Sequence, residues 1–135
     1  MQMPNHQELD FGRSEIINER LVIDRAVTTL QPLNKLIGQL CSIKRKYGFD
    51  LDEIVIFAAC GIINLSGAKQ NIPFVQAANI SSIAEYIRLP RETVRRKLQH
   101  IESVGLISRR SSGYFINSPK EWLSVVHILA SPLQS

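Results

Sequence analysis

The chain has 135 residues, of which 44% are hydrophobic and 21% charged, an ordinary globular mixture that fits one folded domain and excludes collagenous and disordered classes. The net charge of +4 is modest but concentrated: Arg88, Arg91, Arg95, Arg96, Lys97, Arg109 and Arg110 stand against Glu92 and Glu102, while the rest of the chain carries slightly more acid than base. A basic segment in a near-neutral chain suggests a local polyanion contact, and a solvated charged helix face is the plainer alternative. Cys41 and Cys60, each in an apolar stretch, are expected to be buried and reduced, which favours the cytoplasm. Met1 to Asp10 lacks the apolar core of a secretory signal. The longest uncharged apolar-rich run, Ile54 to Ala68, is 15 residues where a bilayer takes about 20, so no membrane partner is expected.

Met1 to Gly12 is polar and aperiodic and is expected to be a flexible arm. From Ser14 the residues Ile16, Ile17, Leu21, Ile23, Val27 and Leu30 recur at mostly helical intervals until Pro32, which is expected to stop the pattern. Leu33, Leu36, Ile37, Leu40, Cys41 and Ile43 mark a second amphipathic helix. Lys44, Arg45 and Lys46 suit its negative pole, and Gly48 is a candidate left-handed terminator. Asp50 and Glu53 fit a capping box opening a helix to about Leu65, apolar on nearly every side and therefore central. Gly67 to Asn79 reads as a long connection.

Ser82 with Glu85 has capping-box spacing and opens a short helix whose inward residues are Ile83, Ala84 and Ile87. After a turn of about three residues, Pro90 allows a new helix to begin at Arg91, with Val94, Leu98 and Ile101 at i, i+4 and i+7 on its inward stripe. Gly105 ends it. Arg91, Glu92, Arg95, Arg96, Lys97 and Gln99 are then largely free to point outward, where they can bond both phosphates and base edges. Leu106 to Ile116 holds two short β-prone arms around a polar turn with Gly113, a hairpin signal. Tyr114 and Phe115 could stack on nucleic acid, although strand alternation favours packing for Phe115. Ser118, Pro119 and Glu121 start a last helix whose Trp122, Val125, Val126 and Leu129 form one stripe.

A short helix, a tight turn, a basic helix ending in glycine and then a hairpin make up the order of a winged helix-turn-helix, and Ser82 to Ile87, Leu89 to Leu98, Ile101-Glu102 and Gly105 to Arg109 resemble bacterial winged-helix transcription regulators. The Arg91-Glu92-Thr93-Val94 run followed by Arg96 looks most like the recognition helix of the cyclic-AMP receptor protein family. The overall plan is closer to the MarR family. The resemblance covers Ser81 to Ile116, and it implies a mainly α fold with a small β-hairpin wing and flanking N- and C-terminal helices. It divides the chain into an arm (1–12), an N-terminal helical segment for core completion or dimerisation (13–48), a DNA-binding core (49–117), and a C-terminal helix and tail (118–135).

Carried over residue by residue, the resemblance implies base contacts from Arg91, Glu92 and Arg96, and backbone contacts from Thr93. Arg95, Lys97, Arg109 and Arg110 are assigned to the backbone as well. A guanidinium can donate two bonds to guanine, and a carboxylate can accept from cytosine. The implied partners are double-stranded DNA and a second copy of the chain, with Trp122, Val125, Val126 and Leu129 and the N-terminal helices as candidate dimer surfaces that could equally complete the monomer core. Pro90 stands where the family has a capping serine, and the region before Asp50 is too short for a cyclic-nucleotide domain.

No enzyme is expected. His6, His100 and His127 are scattered, the two cysteines lack a neighbouring histidine, and no metal spacing or phosphate-binding glycine loop occurs, so no cofactor or metal is called for. His100 is expected to pack or to touch phosphate. A small-molecule effector would leave no short motif, and the sequence is silent on one. The competing class is a winged-helix module that mediates protein contacts without DNA. RNA or single-strand binding would call for a paired aromatic platform.

Overall fold

The computed structural model describes residues 6–66 and 75–130. Five helices and one hairpin follow in the order α1 (His6–Tyr47), α2 (Leu51–Leu65), α3 (Ile80–Ile87), α4 (Arg91–Val104), β1 (Ile107–Arg110), β2 (Gly113–Ile116) and α5 (Pro119–Ala130). The protein is thus mainly helical with a small antiparallel hairpin. The chain divides into two units, residues 1–37 and 38–135. Most of the expected connection at Gly67–Asn79, the first five residues of the expected arm and the last five of the expected tail lie outside the described residues.

The first unit corrects two expectations. Residues 6–12 are helical rather than an arm, and α1 runs through Pro32 instead of stopping there. Polarity is no barrier at the amino end, because Gln7 and Glu8 are good helix formers. Pro32 removes one backbone donor, but a stop also needs turn-forming neighbours, and Leu30, Gln31, Leu33, Lys35 and Leu36 all favour helix. The helix ends at Tyr47, where Gly48 takes the left-handed φ of +71°. Cys41, expected to be buried, is exposed.

In the second unit the core is gathered around α2. Asp50 Oδ1 accepts from the Glu53 amide at 2.8 Å and Glu53 Oε1 accepts from the Asp50 amide at 3.1 Å, the reciprocal cap its sequence implies. Ile56, Phe57 and Cys60 of α2 meet Phe49, Ile83 of α3 and Val94, Leu98 and Ile101 of α4, all essentially inaccessible to solvent. Each such aliphatic or aromatic side chain stabilises the fold by roughly 1.5–3 kcal/mol relative to exposure. The burial of Val94, Leu98 and Ile101 fixes which face of α4 is left outside.

The short helix α3 begins at Ile80, earlier than the Ser82–Glu85 spacing predicts. Asn79 is the cap, and its side chain accepts from the Ser82 amide at 2.8 Å. Asparagine caps as well as serine does, and the earlier start packs Ile80 against the core. Arg88 closes α3 in the left-handed conformation, with φ 58°. Leu89 and Pro90 complete the turn, and the φ of −60° at Pro90 leads into α4 without any side-chain cap.

The hairpin pairs Ile107 with Ile116 and Arg109 with Tyr114. Ala78 adds a bridge from the segment before α3, exchanging hydrogen bonds of 3.0 and 2.8 Å with Tyr114. Gly113 is needed for this approach. Its φ is +141°, and a β-carbon there would stand 2.9 Å from the Ala78 carbonyl oxygen. Buried Asn64 joins the layers: Nδ2 donates to the carbonyls of Gln76 (2.6 Å) and Tyr114 (3.1 Å), and Oδ1 accepts from the Ile116 amide at 2.8 Å.

Trp122, Val125, Val126 and Leu129, the candidate dimer stripe, pack on the core of their own chain. Trp122 Nε1 donates to the Phe57 carbonyl at 3.0 Å, and its indole lies over Gly61 so closely that a β-carbon would overlap it. Val125 is buried and Trp122, Val126 and Leu129 are partly covered, so all four contribute to the monomer core. The reason is geometric: Gly61 leaves a gap on α2 that a large side chain fills, and α5 supplies it.

Candidate nucleic-acid interface

The outer face of α4 is set by how the helix is anchored. Its inward stripe holds one side, and a polar cluster at the start of α2 holds another. Lys97 Nζ donates to Asp50 Oδ2, while His100 Nδ1 bonds Glu53 Oε2. Phe49 meets the His100 ring edge-on, with centroids 5.8 Å apart. Glu53 is buried, and its carboxyl oxygens are satisfied by the Asp50 amide on one side and by His100 on the other, as buried polar groups must be. Burial works to raise the pKa of Asp50, but the bond from Lys97 and the Glu53 amide outweigh it and hold the carboxyl below its ordinary value. Lys97 is correspondingly raised, first of all by its bond to Asp50.

The sequence assigns Lys97 to a DNA backbone. It is turned instead toward α2 and only 24% of its side chain is exposed. A charged residue one position before buried Leu98 lies at the edge of the packed stripe, where it can reach the capping carboxylate. His100 packs against Phe49 and bonds Glu53 through Nδ1.

The remaining α4 residues form the outward face. Arg91, Glu92, Arg96 and Gln99 are exposed, and Thr93 and Arg95 are partly covered. Arg91 Nη2 donates to Ser81 Oγ on α3, which steadies its guanidinium beside the α3–α4 turn. Glu92 accepts from Arg95 through both carboxylate oxygens, one of these bonds being 2.9 Å from Nε. That bond lowers the Glu92 pKa and raises that of Arg95, keeping the pair ionised. Its charges cancel locally, and an exposed pair of this kind exchanges partners at little cost. Arg96 makes no hydrogen bond or ion pair among the described residues.

The hairpin places two more guanidinium groups beside this helix. Glu102 of α4 accepts from the Arg109 amide at 3.1 Å, and the Asn117 side chain donates to the Gly105 carbonyl at 2.8 Å, so β1 is tied to the end of α4. Arg109 and Arg110 are exposed. Arg110 lies over the Phe115 ring, 5.0 Å from its centroid, a cation–π contact that favours one orientation of the guanidinium. Of the two aromatics, strand alternation buries Tyr114 rather than Phe115. Tyr114 is the buried one and Phe115 is partly exposed, because the Ala78 bridge sets Tyr114 on the inward side with Ile107 and Ile116.

A cleft runs between the start of α3 and the hairpin, lined by Asn79, Ser81, Arg109, Arg110, Ser111 and Ser112 among others. It offers hydroxyls and guanidiniums and no carboxylate. Arg88 is a basic residue to which no role is assigned from the sequence; its left-handed conformation at the turn leaves it exposed. Its only sequence signal is its place just before the proline.

Among the described residues no helix is long and apolar enough to cross a membrane. Comparison with protein families, curated proteins and solved structures finds no match to this chain. Fold and site together define a mainly helical protein that presents basic side chains on one amphipathic helix and on the hairpin tied to its end.

Proposed function

We propose that this protein is a winged helix-turn-helix regulator of transcription that binds double-stranded DNA sequence-specifically. In this reading α3 and α4 are the helix-turn-helix, α4 lies in a major groove, and the hairpin is a wing on the flanking backbone. Arg91, Glu92 and Arg96 read base edges. Thr93, Arg95, Arg109 and Arg110 hold phosphates, with Arg95 released from Glu92 on binding, while Lys97 serves the fold.

The observation that carries this reading is the coincidence of exposure and charge. Burial of Val94, Leu98 and Ile101 turns Arg91 and Arg96 outward, and the tie between Glu102 and the Arg109 amide sets the basic hairpin at the end of the same helix. The 14 residues of α4 rise about 21 Å, enough to lie along a groove roughly 12 Å wide. A single such domain reads few base pairs, so two copies on half-sites about one helical turn apart are part of the proposal.

A second reading, a protein-contact module, draws on Leu51, Val55 and Ile62, which lie exposed on one face of α2. Selection from a random pool of duplex DNA separates the two. A DNA-reading protein enriches a recurring, two-fold related sequence, and a protein-contact module enriches none.

A further inference from the structure

The outward stripe of α4 is spaced like the inward one. Val94, Leu98 and Ile101 are buried, and on a helix of about 3.6 residues per turn the positions facing away from them are those of Glu92, Arg96, Gln99 and Ser103. All four are exposed. Two of these side chains are engaged within the helix: Glu92 is held by Arg95, and Ser103 Oγ donates back to the His100 carbonyl at 2.6 Å. Arg96 and Gln99 make no hydrogen bond among the described residues. On the same turn Lys97 and His100 are tied to Asp50 and Glu53. Those ties hold this stretch of α4 against α2, so the two uncommitted side chains project from a fixed backbone.

A neutral glutamine displaces no counterion from a phosphate, so Gln99 gains little from a DNA backbone. Its head is a planar pair of donor and acceptor. Oε1 can accept from the N6 amino group of adenine while Nε2 donates to N7. Guanine presents two acceptors along the same edge, which suits the Arg96 guanidinium and opposes Oε1 of Gln99. The two residues are three positions apart, about 4.5 Å along the helix, close to the roughly 3.4 Å between successive base pairs. We propose that Gln99 is a specificity-determining residue that reads adenine in the base pair next to the guanine read by Arg96. This role rests on the reading of α4 as a recognition helix, and it commits the bound site to guanine and adenine in adjacent base pairs.

The test selects a site from random duplex DNA with the full wild-type chain. Wild type, Gln99→Ala, Gln99→Glu and Arg96→Ala are then compared on that site and its single-base variants. Wild type should prefer adenine at one position by about 10-fold or more. Gln99→Ala should abolish that preference and leave the others. Gln99→Glu should turn it toward cytosine, whose N4 donates to a carboxylate. Arg96→Ala should relax a guanine at the neighbouring position alone. Urea midpoints and the near-ultraviolet signal of Trp122 should match in all four proteins, because both substituted side chains are exposed. A site whose preferences survive Gln99→Ala, an equal loss on every sequence, or relaxed positions that are not neighbours would overturn the role of Gln99 and leave DNA reading in place. Selection of no sequence by the wild type would overturn both.

Discussion

Lys97 of α4 is ion-paired with Asp50, the capping residue of α2, across 47 positions of sequence. The contact joins the helix that carries the exposed arginines to the best-capped helix of the core, so the orientation of the outward face depends on it. Asp50→Ala should cost about 1 kcal/mol through loss of the cap, measured by urea denaturation. The pH dependence has a definite sign. A carboxyl held below its ordinary 3.8 contributes stability above that pH, and the contribution is lost as pH falls through the depressed value. Lys97→Met should therefore flatten the loss of stability below pH 3.8. An unchanged acid limb would remove the pair from the account.

Asn64 should be the least replaceable polar residue of the core. Its side chain satisfies two carbonyls and one amide from two segments, the stretch before α3 and β2, and an apolar replacement strands all of them. Asn64→Leu should lower stability by about 2–4 kcal/mol, seen as a shifted urea midpoint. A loss below about 1 kcal/mol would show that these groups find other partners.

Gly61 and Trp122 should behave as one unit. Gly61→Ala alone forces the indole of Trp122 aside and should cost roughly 1–3 kcal/mol. In a Trp122→Ala background the same substitution meets empty space, so its cost should shrink or vanish. A double-mutant cycle reads the difference, and additive effects would contradict the close approach.

Cys60 should be inert in the folded protein. Burial pushes its thiol up to about 12, so almost no thiolate forms near neutral pH. In a Cys41→Ser background no rapid reaction with a thiol reagent should occur until denaturant is added. Fast labelling of the native protein would show that this part of α2 opens readily.

On the interface itself, Arg96→Ala should relax base preference at one position, by about 1–3 kcal/mol of discrimination. Arg109→Ala should weaken all sequences equally and reduce the salt slope by about one. Lys97→Ala should do neither beyond its effect on stability. Competition binding with single-base variants of a selected site distinguishes these outcomes.

Much of the second unit was legible because its signals are local. The Asp50–Glu53 cap, the left-handed Gly48 and Gly105, and the Val94–Leu98–Ile101 stripe each follow from spacing within one element. What the sequence hid depends on pairs far apart in the chain. Lys97 reads as free because its partner is 47 residues away, the burial of Tyr114 depends on contacts such as the bridge to Ala78, 36 residues earlier, and the choice between core and partner for the Trp122 stripe stays open because the gap at Gly61 has no local sign. Pro32 misled in the opposite way. A rule about single residues overrode the helix-forming character of its neighbours.

The central claim is that the outward face of α4 reads duplex DNA. Its most direct test is the binding of labelled duplex, both a selected site and random sequence, across a salt series, with wild type beside the Arg91→Ala, Arg96→Ala double variant. The account predicts salt-sensitive binding by the wild type with a clear preference for the selected site, and a variant that keeps its fold but loses that preference. Absence of binding even at low salt, or equal preference in wild type and variant, would contradict it.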